Sequence, residues 1–382
     1  MMKYFLILFF VLASSTLASE ITTLEQAKVM AKEKSKRILM EFGREDCEYC
    51  QKAEDEFKTN RLIKESLDKV IHIKLNVALS DQYEIAKQYK VGYTYPVYIM
   101  TTPNGEVLNR WTGFYGANRF LTDFNRVLLS KLTIPERIKR YETSPSFEDA
   151  EILAIYYGEI NDYLNAWNLY KEAYELAPMK YHDYPYKIFV SAAEACWNGL
   201  LPFSEVMAAA DKVEPDNIIN VAKIITNCAR RAGTTDQVAK YIDRALDIVS
   251  PLSDEKSREL KYELLAEQAL YVENDLNKAL RIIKISLGDG WQDDPARFFK
   301  FAEWCQVRNI NLEQAEQFAR KAADRASAGK LKGKVFNTLA EICYQQGKTV
   351  DAIRFTEQAI DEFPSNEYYH QQLTKFKNEL KK

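Results

Sequence analysis

The segment Arg37-Ile38-Leu39-Met40-Glu41-Phe42-Gly43-Arg44-Glu45-Asp46-Cys47-Glu48-Tyr49-Cys50 sets a short apolar run directly before two cysteines. The run ends at a glycine and reads as a buried strand. A helical pattern follows the cysteines to about Leu67. A lone CxxC has three readings. Half of a zinc site needs a second ligand pair at suitable spacing. His72, His182 and His370 are far apart, and there is no second CxxC. An inert structural disulfide is the second reading and a redox dithiol the third. The spacing favours the third, because residues i and i+3 at a helix start lie one turn apart and their sulfurs can bridge. The first cysteine also meets unpaired N–H groups and the positive end of the helix dipole, which stabilise a thiolate.

The pattern around this segment alternates. Residues 22–36 read as a helix, and Val70 to Val77 as a strand with Ile71, Ile73 and Leu75 alternating. Asp81 to Tyr89 reads as a helix, and Pro96 to Met100 as a strand opening on a proline. Asn104-Gly105 is a hairpin signal. Val107 to Gly113 completes that hairpin, and Asn118 to Leu132 is a last helix. The order βαβαββα suits a sheet with helices on its faces.

Residues 37–115 resemble a thioredoxin-fold protein of the exported thioredoxin-like branch. The likeness rests on the strand leading into Cys47-Glu48-Tyr49-Cys50 and on Tyr95-Pro96, placed where that family has its cis-proline. It also rests on Pro103-Asn104-Gly105-Glu106 with Gly113, and on the run Cys50-Gln51-Lys52-Ala53-Glu54-Asp55-Glu56-Phe57. The resemblance implies an α/β thioredoxin-like domain, a central mixed sheet flanked by helices. It implies that Cys47 attacks a substrate disulfide and that Cys50 resolves the mixed disulfide. Pro96 would face the disulfide and present backbone to the substrate chain; the other reading is a strand-start proline that only shapes the fold. Glu41 aligns with the family's buried acid beneath the resolving cysteine. Either it accepts the Cys50 proton or it is a paired strand carboxylate, and the sequence leaves both open.

This chain departs from the family in three ways. Glu48-Tyr49 stands between the cysteines in place of Gly-Pro. Asp46 stands where an aromatic is usual, and the stretch from Tyr89 to Pro96 is one residue longer. Glu45, Asp46 and Glu48 place negative charge beside Cys47, which disfavours a thiolate. A more reducing dithiol is the expectation, with a solvated surface cluster as the bland reading.

From about residue 140 the strand signals stop and helix pairs repeat. Leu339-Ala340-Glu341-Ile342-Cys343, Phe301-Ala302-Glu303-Trp304-Cys305 and Ala192-Ala193-Glu194-Ala195-Cys196 each open a pair. Alanines seven apart follow in the second helices, as at Ala315 and Ala322 or Ala352 and Ala359. Anchors fall near 154, 193, 226, 266, 302 and 340, a mean period of about 37 residues, within the range of helical solenoids. These units resemble tetratricopeptide repeats, best over 153–178 and 339–364. Residues 140–382 therefore imply an all-α tetratricopeptide-like solenoid. Cys196, Cys305 and Cys343 share one repeat position, with Cys228 near it, and read as buried inert thiols. Tyr156, Tyr157, Tyr163, Tyr170, Tyr174, Tyr181, Tyr184 and Tyr186 are divided between core and a concave peptide-holding face.

The ends and the composition bound the rest. Residues 1–20, MMKYFLILFFVLASSTLASE, have a lysine, a short apolar run and a small-residue site ending at Ala18. This is the pattern of a secretory signal peptide, so a periplasmic or extracellular location is expected. The division is 1–18 signal, 19–132 thioredoxin-like domain and 133–382 helical repeats. The net charge of -3 gives no global basic signal for nucleic acid. The expectation is a thiol–disulfide oxidoreductase without a cofactor or metal. Its expected partners are protein or peptide substrates with thiols or disulfides and an unidentified redox partner, with no stable membrane span after signal cleavage. The alternative is a protein-binding scaffold in which the thioredoxin-like part is not a dedicated redox enzyme.

Overall fold

A computed structural model describes residues 23–92, 94–178, 183–235, 237–364 and 366–381. The signal-peptide expectation over 1–18 lies outside the described residues. The chain divides into two compact units, Met1–Glu136 and Arg137–Lys382.

The first unit runs α1 (Leu24–Glu33), β1 (Ile38–Gly43), α2 (Glu48–Thr59), α3 (Arg61–Leu67), β2 (Ile71–Asn76), α4 (Ser80–Gln88), β3 (Val97–Thr101), β4 (Val107–Thr112) and α5 (Ala117–Leu128). The sheet order is β2-β1-β3-β4. β1 pairs parallel with β2 and antiparallel with β3, and β3 pairs antiparallel with β4. Strand side chains alternate between faces. Ile38, Met40 and Phe42 of β1, with Ile71, Ile73 and Leu75 of β2, pack beneath α1 and α4. Leu39 faces the other way, into a core with Ala53 and Phe57 of α2, Ile63 of α3 and Phe120 and Phe124 of α5. Glu41 and Gly43 share that second face with Leu39. This is the side on which α2 lies.

Two local differences from the sequence reading have physical causes. The helix expected to run to Leu67 is broken at Asn60. Asn60 takes an extended conformation, and its side chain accepts from Leu62 N (3.1 Å) and Ile63 N (3.4 Å), starting α3 anew. The β3–β4 turn closes with Gly105 N donating to Thr102 O (2.9 Å) and Thr102 N to Glu106 O (2.9 Å). Gly105 has φ +90°, so it takes the glycine position of a three-residue loop instead of serving inside a two-residue turn.

The second unit is all-helical among the described residues. Entering it, α6 (Ile134–Thr143) opens on Thr133, whose N–H donates to the Glu136 carboxylate (2.9 Å). Six helix pairs follow: α7 (Phe147–Glu159) with α8 (Tyr163–Leu176), α9 (Tyr184–Trp197) with α10 (Phe203–Ala210), and α11 (Ile218–Ala232) with α12 (Ala239–Val249). Then come α13 (Glu255–Tyr271) with α14 (Leu276–Ser286), α15 (Pro295–Arg308) with α16 (Leu312–Arg325), and α17 (Lys330–Gln345) with α18 (Thr349–Glu362). A single helix, α19 (Glu367–Glu379), ends the array. Ala154, Ala193, Thr226, Ala266, Ala302 and Ala340 all lie buried in the first helix of a pair. Ala315, Ala322, Ala352 and Ala359 are buried in the second helices, which lets neighbouring helices approach closely. Between successive first helices runs a set of ion pairs. Lys223 of α11 meets Glu263 of α13 (2.7 Å), and Lys300 of α15 meets Glu259 of α13 (3.3 Å). Arg308 of α15 donates through Nε to Glu267 of α13 (2.8 Å).

Cys228, Cys305 and Cys343 are buried and free, and Cys196 is half-buried. Burial pushes Cys228 and Cys305 up to about 12 and Cys343 up to about 11. The tyrosine cluster is largely drawn into the packing. Tyr184 is buried, Tyr156, Tyr157, Tyr163, Tyr170, Tyr174 and Tyr186 are half-buried, and Tyr181 lies outside the described residues.

Candidate active site around the Cys47–Cys50 disulfide

The end of β1 and the start of α2 place the cysteines. Cys47 is the N-cap of α2, and its sulfur accepts from Cys50 N (3.1 Å). Cys47 and Cys50 form a disulfide with their Cα atoms 5.1 Å apart. Cys47 is half-exposed and Cys50 buried. The two sulfurs thus differ in access, and the outer one sits at the positive end of a helix. Gly43 is what lets Cys50 come so close to the strand. A Cβ at residue 43 would stand 3.1 Å from Cys50 Sγ.

Tyr95–Pro96 is a cis peptide bond. Phe42 of β1 pairs with Val97 of β3, so Pro96 lies one residue beyond that pair, at the end of β1 from which the CxxC departs. Its carbonyl accepts from Gly113 N (2.8 Å).

Glu41 is buried, at 3% exposure, and its Oε2 is 2.8 Å from His72 Nε2. The sequence reading left this acid between two roles, and the structure gives it a strand partner. It also gives it a place on the cleft: Glu41, Gly43, Arg44, Cys50, Glu54 and Lys74 line one cavity of about 500 Å³. Lys74, the register partner of Glu41, turns instead to Glu54 (3.1 Å). Hydrogen bonds from Lys58 and Lys74 hold the Glu54 carboxyl below the usual carboxylate range.

The acidic cluster beside Cys47 is less negative in effect than its residues suggest. Asp46 is gripped bidentately by Arg44, Nε to Oδ1 at 2.9 Å and Nη2 to Oδ2 at 3.0 Å. Glu48 is bridged by Lys52 (2.7 Å). Only Glu45 of the three acids has no ion pair among the described residues. Two of the three charges are thus matched by cations one helical turn or less away.

Sequence reasoning missed His72 and Gly43. Their signals were present. A carboxylate inside an apolar strand needs a partner once buried, and His72 stands on the polar face of an alternating strand. Glycine at the strand end marks a close approach.

Residues 20–103 match the family model described as thioredoxin-like. The N-terminal domain is thioredoxin-like. No curated protein matches the chain. Among solved structures, a thioredoxin from Thermus thermophilus is 20% identical with a TM-score of 0.26, the match covering 28% of this chain and 85% of that one. A tetratricopeptide repeat protein from Parabacteroides merdae ATCC 43184 is 10% identical with a TM-score of 0.41, covering 68% of this chain and 95% of that one. PilW, a widely conserved type IV pilus biogenesis factor, is 16% identical with a TM-score of 0.33, covering 60% and 97%. The chain is a thioredoxin-like domain followed by a region of paired helices. Among the described residues no three His, Cys, Asp or Glu side chains are grouped to hold a metal ion. No described helix is long and apolar enough to cross a membrane.

Proposed function

We propose that the chain is an exported thiol–disulfide oxidoreductase whose helical region binds its protein substrate or partner. The observation that carries the redox reading is the asymmetry of the pair. Cys47 is accessible at a helix start, and Cys50 is buried behind it against Gly43. In the reducing direction the Cys47 thiolate attacks a substrate disulfide, forms a mixed disulfide and releases one substrate thiolate. The Cys50 thiolate then attacks Cys47 Sγ, closes the Cys47–Cys50 disulfide and releases the second. Two electrons pass from the dithiol to the substrate, and a dithiol reductant must restore the pair. Pro96, at the end of β1 from which the CxxC departs, offers backbone to an extended substrate segment. Glu41 lines the cleft with Cys50 and takes its proton.

Export rests on the N-terminal pattern of a lysine, an apolar run and Ala18. Partner binding rests on the helical array. Its α8, α9 and α10 enclose a pocket of about 190 Å³ lined by Trp167, Lys171, Tyr174, Ile188 and Glu205.

Reduction of insulin or of a model cystine peptide tests the redox reading. Wild type should be active and Cys47→Ser inactive. Cys50→Ser should accumulate mixed disulfides through Cys47. Equal activity in wild type and Cys47→Ser would end the proposal.

A further inference from the structure

His72 is a partly exposed histidine bonded to the buried acid of the cleft, and nothing in the reaction above uses it. Three placements bring it to the chemistry. First, Glu41 and Gly43 point to the same face of β1, and Cys50 Sγ packs 3.1 Å from where a Cβ at residue 43 would stand. Glu41 is therefore one strand repeat from the resolving sulfur, on its side of the sheet. Second, Glu41 is 3% exposed, so its carboxylate is largely withdrawn from bulk solvent. Third, the His72 side chain is 19% exposed, with Nε2 2.8 Å from Glu41 Oε2. Its Nδ1 has no hydrogen-bond partner among the described residues. Phe57 packs edge-on against the ring (5.8 Å between centroids) and fixes its plane.

We propose that His72 is the proton outlet of the cleft: the Glu41–His72 pair, not Glu41 alone, carries the Cys50 proton to solvent. This rests on the oxidoreductase reading. The step balances as follows. Cys50 Sγ–H gives its proton to the Glu41 carboxylate, and the thiolate left behind attacks Cys47 Sγ in the mixed disulfide. The new S–S bond forms as the substrate sulfur leaves with its electron pair. Glu41 passes the proton to His72 Nε2, and the imidazolium releases one from Nδ1 to water. Run backwards, the same path supplies the proton that Cys50 takes up on reduction.

The other groups facing this pair are otherwise engaged. Lys74 of β2 and Glu54 of α2 bind each other, and Glu54 also binds Lys58. The Tyr98 hydroxyl of β3 is buried, and burial beside Glu41 pushes it far above its usual range, so it stays neutral and does not compete for the proton. His72 is the ionisable group of this set that both touches Glu41 and reaches the surface.

Stopped-flow single turnovers of the reduced full chain with a cystine peptide, followed across pH 5–9, separate the two steps. His72→Gln should slow resolution of the mixed disulfide by at least about tenfold at neutral pH and flatten its pH profile. Its formation by Cys47 should keep the wild-type rate. Glu41→Gln should slow the same step, and the double variant should be no slower than the worse single. Imidazole added to His72→Ala should restore the rate, which keeps the test open if the glutamine variant folds poorly. A wild-type pH profile in His72→Gln, or equal slowing of both steps, would overturn the outlet while leaving the oxidoreductase reading in place. Loss of that reading shows separately, as undiminished reduction by Cys47→Ser.

Discussion

At the scale of single residues, access and space decide the chemistry. Gly43 faces a sulfur that its disulfide holds in place. A methyl group there meets Cys50 Sγ at 3.1 Å. Gly43→Ala should therefore destabilise the oxidised protein by about 1–3 kcal/mol, as overpacking does, and the reduced protein by less, because a free thiol can turn aside. Urea denaturation of both forms checks this; an equal loss in both would show that the contact is not with the tethered sulfur. Reduced protein treated with iodoacetamide at pH 7 should be labelled first at Cys47. Cys228, Cys305 and Cys343 should stay silent, since burial raises their thiols to about 12, 12 and 11. Peptide mass spectrometry reads the order. The same raised values fix a sign. Buried thiols keep their protons to higher pH than the unfolded chain, so their contribution is complete below about 9 and is lost as pH climbs towards 12. Much of this scale was legible in advance: the CxxC, its asymmetry and Glu41 follow from local spacing and from the family pattern. His72 was not. Its partner lies 31 residues away on another strand, and only the register between β1 and β2 brings the two together.

Elements were legible where periodicity was strong and illegible where one side chain overrode it. The alternation in β2 and the continuous apolar run of β1 announced their burial, one face for β2 and two for β1. The helix after the CxxC kept a helical pattern through Asn60, yet Asn60 ends α2 and caps α3. Propensity barely distinguishes a mid-helix asparagine from a cap, whereas the tertiary path does. Asn60→Ala removes the acceptor of two backbone N–H groups and should cost about 1 kcal/mol, read from thermal unfolding. An unchanged melting temperature would mean that the two N–H groups find other partners at no cost. The repeat anchors were legible because small residues at a helix–helix contact recur for a geometric reason. The pair boundaries were not, because degenerate turns carry little signal.

At the scale of the whole molecule, the division between the two units falls within α6. Arg137 and Arg140 of α6 both bind Asp149 of α7, Arg140 through two contacts of 2.6 Å. Burial alone would raise the Asp149 carboxyl, but the two guanidinium groups hold it below the usual range. Its contribution to stability is therefore present at neutral pH and is lost as pH falls through the acid range. Asp149→Ala would remove the carboxylate that Arg137, at 4% exposure, shares with Arg140, and should cost about 1.5–3 kcal/mol in the helical region. Calorimetry of the full chain should show that loss in the transition of the helical region. A loss confined to the transition of the thioredoxin-like domain would mean that α6 belongs there. Any attempt to express the helical region alone must begin before Thr133, so that this anchor is kept.

The ion pairs between first helices carry a last consequence. Lysine and arginine stand on α11 and α15, and glutamates stand on α13 between them. The sign of the charge alternates over α11, α13 and α15, so these three units are not interchangeable beads. Duplicating the α13–α14 unit in tandem would set acid against acid, whereas inserting a copy of two consecutive units preserves every pairing. Over this stretch of the array the order of the units is written in charge as well as in shape.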